Sequence, residues 1–196
     1  MLMNHPDAVK WNGRYTQEGQ KWLHSKANAL LAAYLPQLPR QGMALDAAAG
    51  VGTNSMVLAA HGLHVVALDI SEVALRLAQQ QAAMRGVMVE TAVYDLSRPW
   101  FPPHSFDVIV NFRFLERATF PAFQAALKPG GWLIFETFIR IPGQAAETYY
   151  LEPGELEQAF AAWEIVWSGT REVVRNKFVH KITAQLVARK PDSAAS

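Results

Sequence analysis

Ten residues constrain this chain more than any other stretch: Leu45-Asp46-Ala47-Ala48-Ala49-Gly50-Val51-Gly52-Thr53-Asn54. Asp69, 17 residues beyond Gly52, closes the next apolar run, His64-Val65-Val66-Ala67-Leu68-Asp69. Together they read as strand, glycine turn, helix, strand, acid. An α/β sheet builds a nucleotide pocket in this way. Gly50 and Gly52 let the backbone turn tightly and approach a ligand, because neither carries a Cβ. An acid roughly 20 residues past such a turn reaches ribose hydroxyls.

A G-x-G also arises in ordinary βα loops, so the turn needs support. Asp46 closes the first strand, and four residues then lead to Gly50. The dinucleotide pattern G-x-G-x-x-G requires Gly or Ala at position 55, where this chain has Ser55. A third apolar run, Val87 to Val93, ends in Tyr94-Asp95-Leu96. An acid after each of three successive strands suits a ligand with an ammonium, a ribose and an adenine amino group.

Composition narrows the class. A length of 196 residues suits one domain, and 51% hydrophobic residues suffice for a sizeable core. Lys plus Arg is 18 against 17 for Asp plus Glu, so no basic face for nucleic acid is expected. The absence of cysteine excludes disulfides, thiolate catalysis and cysteine zinc sites. The six histidines lack metal-ligand spacing, so no metal is expected. The first ten residues lack the apolar run of a signal peptide, and no run approaches the roughly 18 apolar residues of a membrane span. The expectation is a cytoplasmic enzyme or binding protein, monomer or homodimer, with a small-molecule partner.

Periodicity gives the element order. A helix is predicted over residues 19–35, ended by Pro36 and Pro39. Strands follow at 43–47, 64–68, 87–94, 106–112 and 132–138. Helices separate them at 53–60, 71–85 and 121–127, with a turn at Lys128-Pro129-Gly130-Gly131 before the fifth strand. After a short helix at 153–160, strands at 163–167 and 178–188 follow without a crossover helix and should pair antiparallel. This is a mostly parallel sheet with one antiparallel strand near its end.

These residues resemble a family. Trp11-Asn12-Gly13-Arg14-Tyr15, Leu45 to Asn54, Ala67 to Ser71, Tyr94-Asp95-Leu96, Leu127 to Gly131, Glu152 to Leu156 and Leu186 to Lys190 look like a class I S-adenosylmethionine-dependent methyltransferase. Within that family they resemble the small bacterial tellurite-resistance and thiopurine-methyltransferase-like branch. The resemblance implies a Rossmann-like seven-stranded sheet, order 3-2-1-4-5-7-6, with strand 7 antiparallel and helices on both faces. It implies a single methyltransferase domain over 1–196, with a helical lid region at 1–40, the core at 41–190 and a tail at 191–196. The family's first motif usually reads Asp-Leu-Gly-Cys-Gly-x-Gly-Arg-Asn. Here Ala48 and Ala49 replace Gly and Cys, and Thr53 replaces Arg, so no anion role carries over to position 53.

The resemblance also assigns roles. S-adenosylmethionine, leaving as S-adenosylhomocysteine, should lie against Ala48, Gly50, Gly52 and Asn54. Asp46 should hold the turn or the cofactor ammonium, the alternative being a helix-capping acid. Asp69 should take both ribose hydroxyls, Ile70 should pack on adenine, and Asp95 and the Leu96 amide should meet its edge. Asn111 and Phe112 should lie near the sulfonium, and Arg14 should pair with the methionine carboxylate. Trp11, Tyr15, Arg113, Phe114 and Arg175 are substrate candidates, with Tyr15 and Arg113 the candidates for a catalytic part. Phe112 and Phe114 also fit a core role, and Arg175 fits a solvated strand edge.

The reading is thus a small-molecule methyltransferase with a sulfur, selenium, tellurium or oxygen acceptor. The alternatives are a protein or RNA methyltransferase and a non-catalytic nucleotide-binding protein. Residues 1–20 are expected to form a lid hinged at Gly13 and Gly19.

Overall fold

A computed structural model describes residues 4–141, 149–176 and 179–192; the side chains at position 20 and at 174–180 lie outside the description. The described elements are α1 (Pro6–Leu23), α2 (Ala29–Tyr34), β1 (Met43–Ala47), α3 (Thr53–His61), β2 (His64–Asp69), α4 (Glu72–Arg85) and β3 (Val89–Val93). They continue as β4 (Phe106–Phe112), α5 (Thr119–Ala126), β5 (Leu127–Ile139), α6 (Glu155–Ala159), β6 (Glu164–Asn176) and β7 (Val179–Arg189).

The seven strands form one sheet in the order β3-β2-β1-β4-β5-β7-β6. The first five run parallel, and β7 enters antiparallel between β5 and β6. This is the predicted order. Register brings the functional strand ends to one edge: Ala47 pairs with Leu68 and Asn111, Asp69 with Val93, and Phe112 with Glu136. Strand order reverses direction at β1 and β4, and open α/β sheets bind ligands in the crevice at such a switch point.

Alternation along the strands divides the core. Val108, Val110, Ile134 and Val187 pack with Leu30, Leu31 and Leu58 of the helices on one face. Ile109, Leu133 and Phe135 face the other way, into an aromatic layer with Phe101, Phe106, Phe120, Phe123 and Phe160. Phe120 meets Phe135 and Phe160 edge-on, at 5.8 and 5.7 Å between centroids, while Phe101 stacks on Phe123.

Three predicted elements differ. The single helix over 19–35 is two helices. Asn28 breaks it by accepting from the Leu30 amide and donating its own amide to Asn54 Oδ1. Apolar spacing runs on across the break, but Trp22 and Leu23 face Tyr15 while Leu30 and Leu31 face the sheet. The strand predicted at 163–167 extends to Asn176, because an edge strand carrying Thr170, Arg171 and Glu172 lacks the apolar signal of a buried one. The turn at 128–131 falls inside β5, where the pairing with β4 shifts register between Phe106 and Val108. No described helix is long and apolar enough to cross a membrane.

Candidate functional site

The loop after β1 is held in a shape few side chains tolerate. Ala48, Gly50 and Gly52 all have positive φ, at 56°, 56° and 72°. A Cβ on Gly50 would lie 2.7 Å from the Tyr15 hydroxyl, and one on Gly52 would lie 2.9 Å from Cβ of Ala78. Both positions therefore need glycine for conformation and for space. The loop ends at the first turn of α3, whose unpaired amides form a positive helix end.

Two buried acids stand at this loop. Asp69 spans it: Oδ2 accepts from the Gly50 amide and Oδ1 from the Ser71 amide, both at 2.8 Å. Each oxygen keeps a lone pair for a hydroxyl donor. Burial raises the Asp69 pKa, and the bonds from Ser71, Gly50 and Ile70 oppose that rise. Asp46, on the neighbouring strand, is 1% exposed and accepts from Ser55 Oγ at 2.5 Å. Burial pushes Asp46 up to about 7; the Ser55 bond restrains the shift and the charge on Asp69 adds to it. Ser55 thus belongs to the site. Sequence reading noted it only as a departure from a dinucleotide pattern.

Asp95 closes the row after β3. Its Oδ1 accepts from the Ser97 amide at 2.9 Å, and His5 Nε2 lies 3.9 Å from its Oδ2. Partial burial pushes its pKa up, but the Ser97 bonds and the charges of His5 and Arg98 outweigh that and hold it below the ordinary value. Leu96 is buried beside it, and Ile70 is half-buried after Asp69.

Helix α1 lies along this row of acids. His5 meets Asp95 at one end. Asn12 Oδ1 accepts from Ser71 Oγ at 2.8 Å and from the Val73 amide at 3.2 Å, so α1 helps cap α4. Tyr15 packs with Val51 and Ala74, between Trp11 and Trp22 at 5.8 Å from each ring. Burial first, then the charge on Asp69, raises the Tyr15 pKa, against the opposing charge of Arg14. Tyr15 is therefore a hydrogen-bond donor here, unsuited to acting as a base at neutral pH. Arg14 lies 5.2 Å from the Trp11 ring, 5.1 Å from the Trp22 ring and 3.6 Å from Glu18. The helix runs unbroken through Gly13 and Gly19, so neither glycine is a bend.

Beyond β4, Asn111 is fully buried. Its Nδ2 donates to the Phe114 carbonyl at 2.8 Å, while Oδ1 has no partner. A buried acceptor without a protein donor is open to a bond from a water or a ligand. Phe112 and Phe114 pack on the two opposite core layers and are half-buried. Arg113 between them is exposed, at φ 59°, with its amide on the Glu136 carbonyl. The Arg175 side chain lies outside the described residues.

A family model for a methyltransferase domain matches residues 44–131, from β1 through the turn inside β5. Residues 44–131 thus carry the sequence pattern of a methyltransferase domain. Phosphoethanolamine N-methyltransferase of Triticum aestivum is 31% identical over 111 residues, covering 54% of this chain and 22% of that protein. Ubiquinone biosynthesis O-methyltransferase of Chromobacterium violaceum is 31% identical over 104 residues, covering 49% and 44%. The chain thus spans less than half the length of these curated relatives. In fold, the methyltransferase domain is similar to TehB from Haemophilus influenzae, with TM-score 0.75, 18% identity and coverage of 92% and 67%. It is also similar to a SAM-dependent methyltransferase from Methanosarcina mazei, with TM-score 0.67, 21% identity and coverage of 86% and 100%.

The residues present fit S-adenosylmethionine. Asp69 keeps acceptor capacity for two hydroxyls, and the buried Asn111 Oδ1 has no donor within the protein.

Proposed function

We propose that the chain transfers a methyl group from S-adenosylmethionine to a small-molecule acceptor. One observation carries this reading: Asp46, Asp69 and Asp95 follow three adjacent strands, around a loop whose glycines leave no room for a Cβ, and α1 lies along the row. When bound, the cofactor supplies a methyl on a sulfonium, which is already strongly electrophilic.

The chain's own residues then bind, orient and exclude water. Asp69 accepts from the ribose hydroxyls while its bonds to Gly50 and Ser71 fix its angle. Asp95 accepts from the adenine amino group, with Ile70 and Leu96 against the ring. Asp46 places negative charge under the methionine half, and Asn111 offers an acceptor near it. Trp11 and Tyr15 close the cleft. Holding a nucleophile in line contributes roughly 7–11 kcal/mol in ideal cases, so a soft acceptor needs no strong base.

The relatives' names divide between amine and oxygen acceptors, and the branch resemblance adds sulfur, selenium and tellurium. Calorimetry with S-adenosylhomocysteine, against nicotinamide and flavin nucleotides, tests the cofactor. A screen with labelled S-adenosylmethionine over amines, thiols, phenols, carboxylates, selenite and tellurite tests the acceptor. Binding of a nicotinamide nucleotide in place of S-adenosylhomocysteine would refute the reading.

A further inference from the structure

Glu136 is the one glutamate on β5, and it is fully buried. It stands next to Phe112 on β4 and opposite Gln185 on β7, at the edge of the sheet where the parallel strands end. Its Oε2 accepts from Gln185 Nε2 at 2.6 Å and from Asn28 Nδ2 at 3.0 Å. Its Oε1 has no hydrogen-bond partner. Among the described residues, no Lys, Arg or His forms an ion pair with it. Two neutral amides satisfy one oxygen, but they do not balance a carboxylate's charge. Burying a carboxylate without a counter-charge is costly, and a positively charged donor at Oε1 offsets that cost.

The surroundings connect this carboxylate to the cofactor loop. Asn28 gives its backbone amide to Asn54 Oδ1 at 2.8 Å, and Asn54 is the second residue of α3, directly after the glycine loop. Ser25 rests on Thr53, the first residue of that helix, at 3.3 Å. Asn28, which covers Glu136 Oε2, ends the linker between α1 and α2, whose residues His24, Ser25 and Lys26 are exposed.

We propose that Glu136 is the anionic half of a binding subsite for an organic ammonium group, completed by Gln185 and reached when the α1–α2 linker lifts Asn28 away. This rests on the methyltransferase reading, which puts ligands at this edge. The ammonium has two sources: the amino-acid half of the cofactor, or an amine-bearing methyl acceptor. Both present the same chemistry to Oε1. Glu136→Gln keeps the shape and an acceptor for Asn28 while removing the charge.

Two binding arms distinguish the sources. In the first, calorimetry compares S-adenosylhomocysteine with methylthioadenosine, which lacks the amino-acid half, on wild-type and Glu136→Gln protein. If the cofactor supplies the ammonium, S-adenosylhomocysteine weakens about tenfold or more in the variant and methylthioadenosine is unchanged. In the second arm, butylamine is titrated into protein saturated with S-adenosylhomocysteine. If the acceptor supplies it, wild type binds butylamine, the variant binds it about tenfold more weakly, and S-adenosylhomocysteine is unaffected. An unchanged variant in both arms overturns the subsite and leaves Glu136 a structural acid. If the variant does not fold, the carboxyl carbon shift of Glu136 in wild type replaces it, and no response to either ligand overturns the proposal. Wild-type protein that ignores both nucleosides refutes the cofactor reading alone, because the butylamine titration then runs on the free protein.

Discussion

Asp69 accepts a hydrogen bond from the Gly50 amide at 2.8 Å, so the acid at the end of β2 fixes the loop at the end of β1. The same carboxylate is the ribose acceptor in the proposed complex. Asp69→Ala therefore loses a ligand contact and the shape of the loop together. The expected loss in S-adenosylhomocysteine affinity is about 1.5–3 kcal/mol per charge-assisted bond, with a lower apo Tm as well. Calorimetry and thermal melts on the folded variant measure both, and wild-type affinity would remove Asp69 from the site.

Asp46 gives the protein a pH dependence of known sign. Its pKa is 3.8 in its ordinary state and about 7 in the fold, where burial disfavours the charge. Between those values the unfolded chain releases a proton that the folded chain keeps. Stability from this group is thus complete below the ordinary value and lost as pH rises through about 7. Melts of Asp46→Asn should fall less steeply over that window than those of wild type. A ligand ammonium beside Asp46 favours the charged form, so S-adenosylhomocysteine should bind wild type more tightly as pH passes through about 7. That slope should vanish in Asp46→Asn.

Ala48 adopts φ 56°, where the related motif carries glycine. A left-handed conformation costs a non-glycine residue roughly 1–2 kcal/mol, less the extra entropy glycine loses on folding. Ala48→Gly should raise stability by about 1 kcal/mol and Tm by roughly 2–4 °C. Denaturant titration checks it, and a destabilised variant would mean that the Cβ makes contacts worth more than the strain.

Helix α1 is tied down by Asn12 at the start of α4 and by Tyr15 against the glycine loop and α4. Its amides should gain hydrogen-exchange protection when S-adenosylhomocysteine binds. Equal protection with and without ligand would end the lid idea. Arg14→Ala adds a second readout. Its partners are Glu18 and two tryptophans, so the variant should lose about 0.5–1 kcal/mol of stability. A loss of cofactor affinity larger than the loss of stability would support the pairing of Arg14 with the methionine carboxylate.

Local signals made much of the fold legible. Buried parallel strands are continuous apolar runs, and Val65 to Leu68 or Val108 to Val110 announce themselves. The acids at their ends were equally visible, because an acid closing an apolar run has few other reasons to be there. Pairs distant in sequence were not visible. Nothing in the letters joins Ser55 to Asp46, Asn12 to Ser71, or Asn28 to Glu136, since each contact exists only after the sheet has formed. Glu136 was hidden for a further reason. It sits inside Ile134-Phe135-Glu136-Thr137-Phe138, where a single acid among apolar residues reads as a solvent-facing strand position until its neighbours are known.

Strand β7 follows both of its neighbours in the chain and lies between them. While the chain is being synthesised, β5 has no partner on one side and β6 has no partner at all. Three unpaired edges are exposed to other nascent chains during that interval. The last strand also delivers Gln185, so one of the two bonds to Glu136 Oε2 waits for the final pairing. Completion of the sheet and completion of the amide pair on Glu136 are therefore a single late event in the life of each molecule.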